Sequence, residues 1–152
     1  PGLGFKQLMR QLPWERLMIG IMAVGACDYA LELTVNYVRE RKAFDKRLMD
    51  FQNTRFKLAE AKTKLEVTRS FVNDCIVKLE AGTLDAATAS MAKWWGAEVQ
   101  NDVMDECLQL HGGYGFMEEF PISQLYADAR VQKIYGGTNE IMKELIARSL
   151  DV

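Results

Sequence analysis

Only three prolines interrupt the 152 residues, at positions 1, 13 and 121, and no useful length of sequence alternates apolar with polar residues. Strands show that period of two, so its absence argues against a sheet and for long helices. Cysteine is sparse as well: Cys27, Cys75 and Cys107 are odd in number and form no CxxC pair. A disulfide framework or a thiolate zinc site does not fit that pattern, whereas buried thiols in a reducing compartment do, and no metal is expected. His111 is the single histidine, with no Ser, Cys or Asp arranged around it as a triad. An excess of one charge is also missing. Nineteen Lys and Arg, interleaved with 21 Asp and Glu, leave a net charge of −2 and no electrostatic footprint for a nucleic acid. The longest apolar run, Leu17 to Cys27, is shorter than the about 20 residues a membrane span needs, so a buried helix is expected there. No signal peptide opens the chain. Its first residue is proline, so this start is expected to be a boundary, with any targeting segment lying before it.

With 49% hydrophobic and 26% charged residues, the composition is that of one globular domain with a real core. Leu58, Leu65, Val72 and Leu79 recur every seven residues, with Ala61 and Cys75 on the same face, predicting a helix over 52–81 ended by Gly82. Asp85 is placed to cap a second helix, whose stripe of Ala92, Trp95, Val99, Val103, Cys107 and Leu110 runs to Gly112 and Gly113. Upstream, Pro13 suits the first turn of a helix reaching about Arg41, apolar on nearly every face in its first half and so expected to be buried on all sides. A shorter helix after Pro121 carries Ile122, Leu125, Ala129 and Ile134; another after Thr138 is expected to bury Ile141, Met142, Leu145 and Ile146. The expected fold is all-α: an up-down bundle of three to four long helices plus a short C-terminal helix.

Three features carry candidate chemistry. HGGYGF (111–116) is a glycine-rich turn that lets a ligand approach backbone N–H groups, or simply a helix C-cap and turn. It follows no strand, so the dinucleotide and phosphate-loop contexts are not met. Arg39, Arg41, Lys42, Lys46 and Arg47 complement a helix C-terminus, and an arginine among them is equally able to grip a pyrophosphate. Glu15, in LPWERLMIG, either favours the helix dipole or, pressed against apolar surface, gains the proton affinity of a general base. Gly20 and Gly25 either widen a cavity beside the first helix or let helices pack closely.

Three stretches taken together have the order and spacing of one family. RKAFDKRLMDFQ (41–52), QLHGGYGF (109–116) and DARVQKIYGGTNEIMKELIAR (128–148) resemble the C-terminal helical domain of acyl-CoA dehydrogenases, closest to the long-chain-type branch, over essentially the whole chain. The resemblance implies a C-terminal piece of a larger flavoenzyme, residues 1–152 forming one helical domain and the preceding helical and central β domains lying outside this sequence. It implies FAD as cofactor and a medium-to-long-chain acyl-CoA as substrate, oxidised to a trans-2-enoyl-CoA. Electrons would pass to electron-transfer flavoprotein, in a homotetramer located in the mitochondrial matrix of a eukaryote or the cytoplasm of a bacterium.

Many relatives carry the catalytic glutamate directly after the tyrosine that Tyr135 resembles. This chain has Gly136 there, and Glu15 in PWERL matches the alternative position used by the long-chain and isovaleryl branches. The resemblance makes Glu15 the base and the Gly136 backbone N–H a donor to the thioester carbonyl, with Tyr135 and Gly137 lining the substrate and Arg16 touching its CoA part. It assigns the cofactor to Arg41, Phe44 and Gln52, to Gln109, Leu110, His111, Gly112 and Gly113, and to Thr138, Asn139 and Glu140. Asp45 stands where many members have glycine, a turn substitution. Rival readings are an acyl-CoA oxidase, a branched-chain (isovaleryl-type) dehydrogenase, or a non-catalytic helical oligomerisation module; the isolated domain is expected to be inactive.

Overall fold

The seven-residue stripe of Leu58, Leu65 and Val72 lies, in the computed structural model of residues 2–150, on the inner face of a 29-residue helix, α2 (Gln52–Glu80). Leu65 and Val72 are sealed in the core, with Ala61 and Cys75 beside them. Gly82, at φ 70°, turns the chain out of the helix in the left-handed conformation that favours glycine. Asp85 caps α3 (Ala86–His111) by accepting the Thr88 N–H at 2.8 Å. The long helix α1 (Gly4–Glu40) lies against α3 over most of its length and also meets α2. Two short helices, α4 (Pro121–Val131) and α5 (Asn139–Arg148), pack on α3. Among the described residues the bundle therefore has three long α-helices and two short ones.

Pro13 is not at the start of α1. The helix begins at Gly4 and passes through the proline. Phe5 to Leu12 contain no glycine, proline or β-branched residue, so helix propensity carries the element upstream, and Pro13 costs it one N–H bond. Nor is the apolar first half of α1 buried all round. Leu17, Ala23 and Cys27 are sealed, while Trp14 and Met22 on the opposite side are about half exposed, because α2, α3 and α4 cover one side only. Among the described residues α1 alone is long and apolar enough to cross a membrane; 44% of that window is buried within the bundle, as a core helix requires. Ile134 falls beyond the end of α4 and Ile141 points outward, at 52% and 51% exposure, so Met142 is the sealed apolar anchor of α5.

Between α1 and α3 the backbones nearly touch. A Cβ on Gly20 would sit 3.1 Å from the Ala92 carbonyl oxygen, and one on Gly96 3.2 Å from the Gly20 Cα. Gly20 thus serves close helix packing. Gly25 does not, because it is exposed and nothing lies within 4 Å of a Cβ built there. Glycine in a helix interior loses more backbone entropy than alanine, so Gly25→Ala is expected to stabilise the bundle by about 0.5–1 kcal/mol. The shift in the midpoint of chemical denaturation measures it, and a lowered midpoint contradicts the open-space geometry.

Between α1 and α2 the chain makes a minimal hairpin, Lys42–Ala43 paired antiparallel with Lys46–Arg47. Its two turn residues, Phe44 and Asp45, have φ of 52° and 60°, the mirror-image turn that matches strand twist. Aspartate tolerates that conformation; phenylalanine does so at greater cost. The Phe44 ring is 90% exposed.

Candidate active site

Thr138 begins α5, its Oγ1 accepting the Ile141 N–H at 3.4 Å. The Asn139 N–H donates to the Lys133 carbonyl at 3.1 Å and closes residues 133–139 into a loop. Inside it Gly136 and Gly137 adopt φ of 66° and 95°. A Cβ on Gly136 would fall 2.5 Å from Ile19 Cδ1, and one on Gly137 2.7 Å from Met142 Cε. The backbone sign demands glycine at both positions, while the nearby atoms are ends of flexible side chains that can shift aside. Among the described residues, the Gly136 N–H donates to nothing within the chain.

Ile19 lies one helical turn beyond Glu15 on the same stripe of α1. The glycine turn thus seats on α1 one helical turn from Glu15, 121 positions away in sequence. Glu15 is exposed, with its carboxylate uncovered by the described residues. Among the described residues it makes no ion pair or hydrogen bond. Tyr135, next to Gly136, donates its hydroxyl proton to Gln132 Oε1 at 2.7 Å.

Arg16 turns the other way. It is 6% exposed, with Nη1 3.4 Å from Ser90 Oγ and, among the described residues, no partner for Nε. Burial holds its pKa below the usual arginine range, with the Glu15 charge opposing. Within this chain the guanidinium thus faces the α1–α3 interface, with only one of its nitrogens engaged among the described residues.

A second locus gathers the other end of α3. Arg41, Gln109, Leu110, His111, Gly112 and Gly113 line a cleft of about 610 Å³ together with Tyr37, Leu48, Tyr114 and Met117. The Arg41 guanidinium lies 5.3 Å from the centre of the Tyr114 ring, which packs 5.0 Å from Phe120. Gly112 has φ 61° at the end of α3 and opens the backbone towards the cleft. His111 lies beneath this surface rather than on it. It is 6% exposed, stacked 4.3 Å from Tyr37, and its Nδ1–H donates to the Cys107 carbonyl at 2.9 Å. Burial lowers its pKa, against that hydrogen bond, and leaves the ring neutral. Phe44 and Gln52 are exposed nearby but do not line the cleft.

Asn139, expected to meet a cofactor, is 2% exposed with both ends of its amide already engaged. Oδ1 accepts from Lys93 Nζ at 2.7 Å, and Nδ2 donates to Glu98 Oε1 at 2.9 Å. The other Glu98 oxygen accepts from Lys133 Nζ. Thr138 is spent as the cap of α5, and Glu140 stays exposed in its first turn. Sequence reasoning misses Lys93. Its signal is a lysine in the core stripe between Ala89 and Ala97, both completely buried.

A family sequence model described as acyl-CoA dehydrogenase, C-terminal domain, matches residues 2–150. The chain is 56% identical over 147 residues to the long-chain specific acyl-CoA dehydrogenase, mitochondrial, of Rattus norvegicus, covering 97% of this chain and 34% of that protein. It is 34% identical to the caffeyl-CoA reductase-Etf complex subunit CarC of Acetobacterium woodii, again over 97% of this chain and 39% of the relative. The crystal structure of acyl-CoA dehydrogenase from Geobacillus kaustophilus superposes with a TM-score of 0.97 at 46% identity, covering 100% of this chain and 40% of that one. The chain thus spans little more than a third of the length of these relatives.

Proposed function

The chain belongs to the acyl-CoA dehydrogenase family and matches its C-terminal domain, and from that premise we propose that it is the helical C-terminal part of an FAD-dependent enzyme that oxidises medium-to-long-chain acyl-CoA to trans-2-enoyl-CoA. The observation that carries this reading is the seating of the Gly136 turn on Ile19, one helical turn from Glu15. In this reading the intact protein also contains a preceding helical domain and a central β domain. Electron-transfer flavoprotein accepts its electrons, and it works as a tetramer in the cytoplasm of a bacterium or the matrix of a mitochondrion.

An α-proton of a thioester is too weakly acidic for an unaided carboxylate. The Gly136 N–H, left free by the turn, supplies a fixed dipole where negative charge grows on the thioester oxygen. Glu15 takes the proton. The missing domains, closing over the exposed edge of α1, supply the desolvation that this chain does not. Tyr135 and Gly137 shape the same edge.

The residues present fit a dinucleotide. Arg41, paired with no carboxylate among the described residues, stands over Tyr114 at a cleft whose floor is glycine backbone. Arg41 and the 109–113 backbone would hold the pyrophosphate and adenosine side, with Phe44 and Gln52 at its margin. FAD, when bound, supplies the acceptor for the β-hydride.

The test is the absorption spectrum of the full-length protein titrated with saturated acyl-CoAs of increasing length. Bleaching of the flavin band under anaerobic conditions, strongest for medium-to-long chains, is the expected result. A colourless protein that takes up no FAD supports the oligomerisation-module reading instead, and stoichiometric peroxide in air supports an oxidase.

A further inference from the structure

Lys93 is the largest side chain sealed in the core, with 0% exposure, and a lysine ammonium belongs in water unless it is paired. Among the described residues its one neighbour in hydrogen-bond contact is Asn139 Oδ1 at 2.7 Å. Asn139 is the first residue of α5, and its N–H closes the 133–139 loop on the Lys133 carbonyl. The other end of its amide reaches Glu98, which also takes Lys133. Both mouths of the glycine turn are therefore tied back to α3 by a single chain of contacts, Lys93–Asn139–Glu98–Lys133. Gly136 and Gly137 hang between those ties in left-handed backbone that glycine alone does not hold rigid.

We infer that Lys93 is a positioning residue for the reaction: through Asn139 it fixes the 133–139 loop and so the direction of the Gly136 N–H. This inference rests on the role proposed for that N–H. Lys93 itself touches no reacting atom. A buried charge of this kind gives little stability, and its retention is explained by holding one loop geometry over others.

Titration gives the role a signature. Burial lowers the Lys93 pKa to about 8 from 10.5, with Glu140 on α5 and Glu98 on α3 raising it and Arg16 on α1 lowering it. Lys133, between α4 and α5, and Lys143 on α5 also act on Glu98, and Lys143 acts on Glu140. As pH rises through about 8 the ammonium becomes a neutral amine, its bond to Asn139 weakens from a charge-assisted to an ordinary hydrogen bond, and the tie on the loop slackens. Between pH 8 and 10.5 the unfolded chain holds more protons than the folded one, so stability climbs with pH in that window while positioning declines.

The experiment uses the full-length flavoenzyme and follows α-proton exchange of an acyl-CoA into deuterium oxide by NMR across pH 6 to 10, beside thermal melts, for wild type, Lys93→Met and Asn139→Ser. Expected are exchange in the wild type that falls above pH about 8, and loss on the order of 100-fold in both variants, the effect of a small misplacement of a reacting group. That basic limb is absent from Lys93→Met, and its melting temperature no longer climbs from pH 8 to 10. Asn139→Ser keeps the lysine and tests the link should Lys93→Met fail to fold. Exchange in either variant at the wild-type rate, or slower exchange with the basic limb intact in Lys93→Met, overturns the role of Lys93 and leaves the proposed reaction standing. A wild type that binds flavin and acyl-CoA but exchanges nothing overturns both.

Discussion

Glu15→Gln in the intact enzyme is expected to cut turnover with a long-chain acyl-CoA by roughly 10²- to 10⁴-fold, the range that a positioned proton acceptor contributes. Glutamine keeps the size and shape of the side chain and removes only its basicity. Glu15 is exposed and, among the described residues, unpaired, so the substitution breaks no contact that folds the bundle. Stability should stay within about 0.5 kcal/mol of wild type, as for other surface exchanges. Flavin content should not change either, because the cleft lined by Arg41 and the 109–113 backbone lies at the other end of α3 from the Ala92–Gly20 crossing near Glu15. Stopped-flow flavin reduction, compared at equal flavin content, reads the effect. Reduction within a few-fold of wild type assigns the proton to another group.

The largest effect on folding is expected at the crossing of α1 and α3. Gly20→Leu places a branched side chain where even a Cβ would be 3.1 Å from the Ala92 carbonyl oxygen and 3.5 Å from its Cβ. The obstacle is backbone, which yields only if the helix moves. Overpacked cores commonly lose about 1–3 kcal/mol, and a clash against helix backbone belongs at the upper end. Alanine at the same site gains about 1 kcal/mol of helix propensity against a tight contact and should come out near neutral. The disturbance should also reach the chemistry, since Ile19, the neighbour of Gly20, carries the Gly136 turn. Urea denaturation of the three proteins gives the ranking. A Gly20→Leu bundle as stable as wild type would mean that the two helices separate at little cost.

Features set by a few neighbouring residues are legible in the sequence. Asp85 and Thr138 are caps because their side-chain oxygens satisfy N–H groups three residues away, and Gly82 ends α2 because the turn there needs positive φ. The stripe of α2 declares its own inner face. Pro13 misleads because the rule that places proline in a first turn is a preference, overridden here by the seven good helix formers Lys6 to Leu12 upstream. The turn at Phe44 and Asp45 has no glycine to announce it. Arg16 and Asn139 resemble ligand-binding residues at their positions, yet their partners Ser90 and Lys93 lie 74 and 46 residues away, and no window of sequence shows that both side chains are buried against them. The pairing of Glu15 with the Gly136 turn is expected from resemblance alone; the structure shows the turn lying against Ile19, one helical turn along α1 from Glu15.

The cysteines have one more consequence. Cys27 sits on α1, Cys75 on α2 and Cys107 on α3, all three buried. Burial pushes the Cys27 thiol up to about 12 and raises the other two as well. A thiol in that condition is inert until its helix parts from its neighbours. Each long element thus carries its own silent tag, and the order in which a water-soluble alkylating reagent captures the three is a clock for the order in which the elements come away.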